Sequence, residues 1–194
     1  MGNLLRQSGA ALRMLLVATV VLGLVYPLAV WGVSRLPGLH GPAEGTIELI
    51  GIDPVPADPA ADPYFHTRPS ASADAVLGPA DPSTSGGSNQ GGFSEELLDQ
   101  VQQRRAAIAA REEVAPDAVP ADAVTASASG LDPHISPAYA DLQVTRVARV
   151  TGLPLDQVRR LVADATDGRA LGVLGEPGVN VTRLNLAVAA ASGG

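Results

Sequence analysis

Residues 14–33 form an uncharged, strongly apolar run that constrains the rest of this chain. A helix rises about 1.5 Å per residue, so a helix of this length extends about 30 Å, the thickness of a bilayer's hydrocarbon core. A cleaved signal peptide is the alternative, but its apolar core is usually shorter, and no small-residue cleavage pattern follows Val33. The run therefore predicts a transmembrane helix.

The charges that flank this helix predict its orientation. Arg6 and Arg13 precede the apolar run, only Arg35 follows it closely, and the first 43 residues contain no acid. Because positively charged flanks favour the cytoplasmic side, residues 1–13 are expected to form a cytoplasmic tail. Everything after the helix is then expected to be extracytoplasmic.

Three residues within the apolar run bear on contacts with a second helix. Thr19 and Gly23 lie four residues apart and would form a small-residue face that a partner helix can approach closely. Pro27 lacks the N–H that would bond the Gly23 carbonyl, so a kink is expected there, with the freed carbonyl satisfied by a partner helix or by a local adjustment. Small residues and proline are also common in membrane helices generally, so the face predicts either a partner helix or nothing specific.

Composition restricts the chemistry that the segment after the helix can perform. It has no cysteine, which excludes disulfides, thiol chemistry and Cys-ligated zinc. All thirteen basic residues of the chain are Arg, which excludes a P-loop lysine, a Schiff-base lysine and a Ser-Lys pair. Twenty acids and ten Arg follow Arg35, giving a net charge near −10 that repels nucleic acid.

The order of elements after the helix predicts one α+β domain. Residues 34–45 have the composition of a linker, and residues 46–190 are long enough for a single domain with its own core. Residues 46–50 predict a short strand, and residues 53–92 predict a long Pro- and Gly-rich connection that runs over the surface. The alternating residues 179–188 predict a C-terminal strand with one bulge.

Helices are predicted between these two strands. Ser94 is a suitable N-cap for a helix that extends to about residue 111. Ser136, followed by a proline at the first helical position, begins a second helix that ends at Gly152. Apolar residues at 158, 161, 162 and 165 predict a third helix, closed by Gly168.

Residues 125–137 hold the densest group of side chains that could carry chemistry. One interpretation is an extracytoplasmic hydrolase that uses Ser129 or Ser136 with His134. However, residues this close in sequence seldom form a triad, and the chain has no G-x-S-x-G elbow. The three histidines are scattered without metal-ligand spacing. We therefore predict no catalytic and no metal-binding residue.

Residues 85–89 form a second candidate segment. They are Ser85, Gly86, Gly87, Ser88 and Asn89, a turn whose glycines allow positive φ. Their small side chains would leave backbone N–H groups open to a ligand or to a neighbouring loop.

Five sequence blocks, in order behind one N-terminal helix, resemble the C subunit family of the Kdp potassium-transporting P-type ATPase. The resemblance covers nearly the whole chain. The blocks are Tyr64-Phe65 with Arg68-Pro69-Ser70-Ala71, SGGSN at 85–89, VTASASGLDPHISP at 124–137, Gln143-Val144 with Arg146-Val147-Ala148, and LGEPGVNV at 174–181 followed by Leu184-Asn185.

The resemblance implies a complex in the bacterial inner membrane. In that complex the A subunit conducts potassium, the B subunit hydrolyses ATP, and the C subunit is an accessory needed for assembly and stabilisation. The C subunit would have no cofactor of its own, since the complex handles ATP and potassium.

The resemblance further implies a catalytic chaperone that raises the ATP affinity of the B subunit, with residues 85–89 compared to transporter signature motifs. An extracytoplasmic domain cannot touch cytoplasmic ATP, so we interpret these residues first as a shaped loop.

The expected subunit interface has one part in the membrane and one part in the domain. In the alternative interpretation, Asp132 bonds to loop N–H groups and His134 to a backbone carbonyl, both within the domain. The interface residues are Thr19, Gly23, Pro27, Ser129, Gly130, Asp132 and His134.

Overall fold

The computed structural model describes residues 2–37, 39–40, 50–169 and 172–193. The chain divides into two compact units, Met1–Thr46 and Ile47–Gly194. Within the first unit, an α-helix (α1, Gly2–Val20) continues through a π-helical turn (Val21–Val25) into a second α-helix (α2, Tyr26–Ser34). Of this continuous helix, Arg6–Ser34 is long and apolar enough to cross a membrane.

The π-helical turn accounts for the accommodation of Pro27. The Tyr26 N–H donates to the Val21 carbonyl five residues back, which widens the helix one residue before the proline. The helix therefore adjusts locally just before Pro27, and the predicted kink stays a prediction. Thr19 Oγ1 donates to the Leu15 carbonyl at 2.8 Å, so this hydroxyl is satisfied within its own helix.

The second unit contains helices and a small antiparallel sheet, which confirms the α+β prediction. In the sheet the order is β1-β3-β2, with His134 opposite Asn180 and Thr166 opposite Val179. The strands are β1 (His134–Ile135), β2 (Thr166–Asp167) and β3 (Gly178–Asn180). The helices are α3 (Glu95–Glu112), α4 (Ala121–Val124), α5 (Pro137–Thr151), α6 (Leu155–Asp164) and α7 (Val181–Ser192), with 3₁₀ turns at Pro59–Ala61 and Pro116–Ala118.

Local capping explains where the predicted helices begin. Ser94 Oγ accepts the Leu97 N–H at 3.3 Å, and Ser136 Oγ accepts the Tyr139 N–H at 3.0 Å, so both predicted N-caps are confirmed. Helix α5 ends at Gly152, whose φ of +73° places it in the left-handed region as the sequence predicted.

Two predictions near the C-terminus were wrong. Helix α6 does not continue to Gly168, because Thr166 and Asp167 leave the helix to pair with β3. Most of the predicted strand 179–188 is instead helix α7. The side chain of Asn180 accepts the Arg183 N–H at 3.0 Å and caps that helix, so only Val179 and Asn180 of this range stay in a strand.

The core of the second unit forms around α5 and includes buried side chains from α3, α6, β3 and α7. The connection 53–92 contributes to this core, since Phe65 is fully buried and residues 66, 67 and 70 are buried beside it. It is therefore only partly the surface connection that its prolines predicted. Most of the predicted strand at residues 46–50 lies outside the described residues. The largest fully buried side chains include Tyr139, Phe65, Ile108, Leu184, Gln143, Val144 and Val147.

Candidate subunit-docking site

The structure brings together the two loops that the sequence singled out. The Gly86 N–H donates to the Ala128 carbonyl at 2.9 Å, and a Cβ built on Gly87 would lie 3.8 Å from Ala128 Cβ. We call residues 85–89 and 125–130 the paired loops. The positive φ in the first loop is at Asn89 (+53°), so Gly86 and Gly87 do not use the conformation that glycine allows. The Gly86 N–H does bond a neighbouring loop, which is one of the two partners that the sequence predicted.

A third segment, residues 69–71, supports the inner side of the paired loops. The Ser127 N–H donates to the Pro69 carbonyl at 2.7 Å, and Ser70 forms a parallel bridge with Ser127. Gly130 then turns the chain with a φ of +65°, and a Cβ there would lie 2.5 Å from Ala80 Cβ. Only glycine satisfies both conditions, which confirms the close backbone approach predicted at Gly130.

Asp132 is bonded within the domain. It forms an ion pair with Arg68, and its Oδ1 accepts the His134 N–H at 2.9 Å. Burial by itself would raise the pKa of Asp132, but the His134 N–H and the Arg68 guanidinium outweigh burial and lower it. The carboxylate therefore fixes the path of residues 130–134, as the alternative interpretation expected.

His134 is placed differently from Asp132. Its side chain is 41% exposed, its Nε2 lies 3.4 Å from Asp167 Oδ2, and its Nδ1 lies 3.6 Å from Asp132 Oδ1. Among the hydrogen bonds of the described residues, none joins the ring to a backbone carbonyl. Asp167 in turn accepts from Arg183 at 2.9 Å, and this bond is the main reason that the pKa of Asp167 is lowered. The His134 ring thus belongs to an exposed charged group at the edge of the sheet, where a partner could reach it.

The hydrolase interpretation requires a Ser-His pair, and the predicted serines have other partners. Ser129 Oγ accepts the Leu131 N–H at 3.2 Å, and Ser136 Oγ donates to Asp122 Oδ1 at 2.8 Å. Neither serine bonds His134 among the hydrogen bonds of the described residues. In the described part of the chain, no group of three or more His, Asp or Glu side chains could hold a metal ion.

Sequence reasoning missed a buried polar cluster, which we define as Asp53, Asp62, His66, Glu112 and Arg146. His66 Nε2 lies 2.6 Å from Asp62 Oδ2, and His66 Nδ1 lies 3.1 Å from Asp53 Oδ1. Burial by itself lowers the pKa of His66, but the hydrogen bonds to Asp53 and Asp62 outweigh it and raise the pKa above 6.5.

Helix α5 holds this cluster in place. Arg146 donates to the Asp62 carbonyl at 2.8 Å and to Glu112 Oε2 at 2.9 Å. Gln143 Oε1 accepts the His66 N–H at 2.8 Å. Tyr139, Gln143 and Arg146 are spaced four and three apart, so polar residues on the inward face of a predicted helix were the signal that could have revealed the cluster.

Comparisons with known proteins agree with one another. The family model described as "KdpC: K+-transporting ATPase, c chain" matches residues 8–190. A Kineococcus radiotolerans protein named "Potassium-transporting ATPase KdpC subunit" is 49% identical, over 98% of this chain and 96% of that protein. Proteins with the same name from Mycobacterium tuberculosis (46% identical; 94% of this chain, 97% of that protein) and Polaromonas naphthalenivorans (47%; 97% and 95%) are similar over nearly their whole lengths.

Proposed function

Because this chain belongs to the KdpC family of K+-transporting ATPase subunits, we propose that it is the accessory subunit that assembles and stabilises that ATPase. It is a subunit of the transport complex and not an enzyme by itself. Its partners in this proposal are the potassium-conducting A subunit and the ATP-hydrolysing B subunit.

The observation that carries the proposal is how the five sequence blocks use their side chains. Asn185 accepts the Phe65 N–H and donates to the Phe65 carbonyl, both at 2.8 Å, and Gln143 holds the His66 backbone in the same way. These polar groups fix distant backbone segments, and neither Ser129 nor Ser136 bonds a histidine among the described residues. Because these side chains hold the backbone in a fixed shape, they support a domain that docks on other subunits.

Co-purification tests this proposal directly. The tagged full chain, co-expressed with the A and B subunits and extracted in mild detergent, is expected to recover both. Gly23→Leu should reduce that recovery, because it fills the small-residue face of the membrane helix. Gly32→Leu, in the same helix and outside that face, is the matched control. Extraction of the wild-type chain without either subunit would contradict the proposal.

We place the chain in the bacterial inner membrane with its N-terminus in the cytoplasm, on the strength of Arg6 and Arg13 before the apolar helix and Arg35 after it. Alkaline phosphatase fused after the C-terminus should then be active, since it folds only outside the cytoplasm. An inactive fusion together with a protease-protected domain would reverse this topology.

The same topology determines how the subunit could raise the ATP affinity of the B subunit. Residues 85–89 are exposed, so they are accessible to a partner, but in an extracytoplasmic domain they cannot contact ATP. Any effect on nucleotide affinity is therefore indirect, through the shape of the assembled complex. Replacement of Ser88 by Ala should leave the ATP concentration at half-maximal hydrolysis unchanged, whereas a reversed topology would make that value sensitive to Ser88.

A further inference from the structure

Two adjoining cavities lie beside the paired loops. The smaller has a volume of about 180 Å³ and the larger about 330 Å³. Ala71, Ser88 and Arg104 line both of them. The cavities therefore meet at one side chain from the middle of helix α3 and one residue of the first paired loop.

Arg104 has an unusual environment for a buried charge. It is only 7% exposed, and its one hydrogen bond among the described residues runs from Nη1 to the Val124 carbonyl at 3.4 Å. Among the described residues, no carboxylate oxygen lies within 4 Å of it. Arg146, which is buried to the same degree, instead meets the carboxylates of Asp62 and Glu112. Two equally buried guanidinium groups thus differ completely in their ionic partners.

A largely buried cation gives up part of its hydration, and without an anionic partner that loss is only partly replaced. A guanidinium has five N–H donors, and Arg104 uses one of them. Gln90, which lines the larger cavity, also has a buried side-chain oxygen without a hydrogen-bond partner among the described residues. Rotation of that amide by half a turn would present its NH₂ group to an anion instead. The cavity walls therefore offer hydrogen-bond donors that have no acceptor among the described residues.

We propose that Arg104 receives the carboxylate of an acidic side chain presented by a partner subunit of the ATPase, an inference that rests on the proposed function. The planar guanidinium fork matches a carboxylate in two parallel hydrogen bonds. Apart from Arg104, the polar groups that line the cavities are neutral, namely Ser70, Ser88, Asn89, Gln90, Gln100, Gln103 and Thr125. One cation among neutral walls, in a domain of net charge near −10, suits a monoanion better than a phosphate dianion.

The position of the cavities favours a partner's side chain over a free small carboxylate. They open beside the paired loops, which include Ser129 and Gly130 of the expected interface, so a docked segment could extend an acidic side chain directly into them. The buried guanidinium would then gain its missing ionic partner only on assembly.

The test compares stability with assembly in the same variant. Arg104→Met removes the charge and keeps much of the apolar stem. In the isolated full chain in detergent, it should leave the melting temperature unchanged or higher, because the uncompensated charge is gone. In the co-expressed complex, it should reduce recovery of the A and B subunits by about tenfold or more. Arg105→Met is the matched control, because Arg105 also has a buried nitrogen, Nε, without a hydrogen-bond partner among the described residues but lies outside both cavities, so its loss should leave recovery unchanged.

A conservative variant separates the role of the charge from that of the planar guanidinium. Arg104→Lys keeps the charge but loses the fork, so its recovery should fall between those of the wild type and Arg104→Met. If Arg104→Met lowers the melting temperature and recovery falls only in proportion, Arg104 is a fold determinant and the proposal is wrong. Unchanged recovery with Arg104→Met would also overturn it. Loss of recovery with the wild-type chain would instead contradict the proposed function.

A titration with sodium acetate against sodium chloride distinguishes the two sources of carboxylate. If a free small carboxylate occupies the site, acetate should raise the melting temperature of the wild-type chain while Arg104→Met leaves subunit recovery intact. That pair of results would overturn the assignment to a partner subunit. The proposal expects the reverse pair, with no stabilisation specific to acetate and a loss of recovery in the variant.

Discussion

His66 Nε2 lies 2.6 Å from Oδ2 of Asp62 in the interior of the domain. The other ring nitrogen faces Asp53, so both nitrogens meet carboxylate oxygens. A neutral imidazole carries one N–H and can donate to only one of them, whereas the protonated ring donates to both. The geometry therefore favours the imidazolium ion, which agrees with the raised pKa of His66.

Stability should fall as the pH rises above neutrality. Because the pKa of His66 is above 6.5 in the folded state, its contribution is complete below about pH 6.5 and is lost as the pH rises through the folded-state pKa. Urea unfolding of the full chain in detergent should give a lower free energy of unfolding at about pH 9 than at about pH 6. His66→Gln should flatten this dependence. Equal slopes in wild type and His66→Gln would contradict the assignment.

Asp132 and His134 should respond differently to alanine substitution. Asp132→Ala leaves Arg68 and the His134 N–H without their acceptor and should lower the free energy of unfolding by about 1–3 kcal/mol. His134→Ala should change it by less than about 0.5 kcal/mol, because the ring is exposed. If His134 contacts a partner, His134→Ala should still weaken capture of the A subunit. Equal losses of stability in the two variants would show that His134 is also a fold determinant.

The ion pair between Arg146 and Glu112 should be critical for folding. Glu112→Gln removes a carboxylate that pairs with both Arg146 and Arg111, and a broken buried pair typically costs about 3–5 kcal/mol. Because Asp62 stays beside Arg146, a loss at the lower end of that range is expected. The matched control is Glu113→Gln, because Glu113 pairs with Arg149 on the surface and both are more than half exposed. That variant should lose less than about 1 kcal/mol. Urea denaturation of the full chain compares the two, and similar losses would mean that burial does not set the strength of these pairs.

The paired loops should tolerate a methyl group at one glycine and not at another. Gly130→Ala forces a positive φ on alanine and places its Cβ 2.5 Å from Ala80 Cβ, so a loss of about 2 kcal/mol or more is expected. Gly86→Ala meets no atom within 4 Å and needs no positive φ, so it should be nearly neutral. Melting temperatures of the two variants test this difference. A large loss in Gly86→Ala would indicate a conformational requirement that its open surroundings do not explain.

Short-range features of the sequence predicted the helix boundaries well, because caps act within a few residues. Ser94 and Ser136 bond N–H groups three residues ahead, and such spacing is visible in the sequence itself. In the C-terminal segment, residues 179–188, the local pattern fitted both a strand and a helix. Val179 and Val181 alternate like strand residues, but Val181, Leu184 and Val188 also have helical spacing, and all three are buried on one face of α7. The Asn180 cap decides between the two patterns.

The buried polar cluster could not be predicted in this way. Arg146 reaches the carbonyl of a residue 84 positions earlier, and Gln143 reaches one 77 positions earlier. The acids Asp53 and Asp62 stand in a Pro-rich stretch whose composition indicates exposed turns. Only the tertiary structure brings them under α5, where Arg146 and His66 compensate their charge. The pairing of residues 85–89 with Ala128 was likewise invisible to local patterns.

Hydrogen bonds from helices α5 and α7 hold part of the Pro-rich connection 53–92, and they determine how fast its backbone amides exchange. The N–H groups of Phe65 and His66 are held by side chains from α7 and α5, so they can exchange with deuterium only when those helices separate. Their exchange should therefore report the opening of the whole domain, although the surrounding sequence has the composition of a loop. Residues 81–89 are exposed and should exchange far sooner, apart from Gly86, whose N–H is bonded to the Ala128 carbonyl. This one connection thus contains amides that exchange slowly and amides that exchange quickly. A protease added to the native protein should cut the connection after residue 80 and spare residues 62–70.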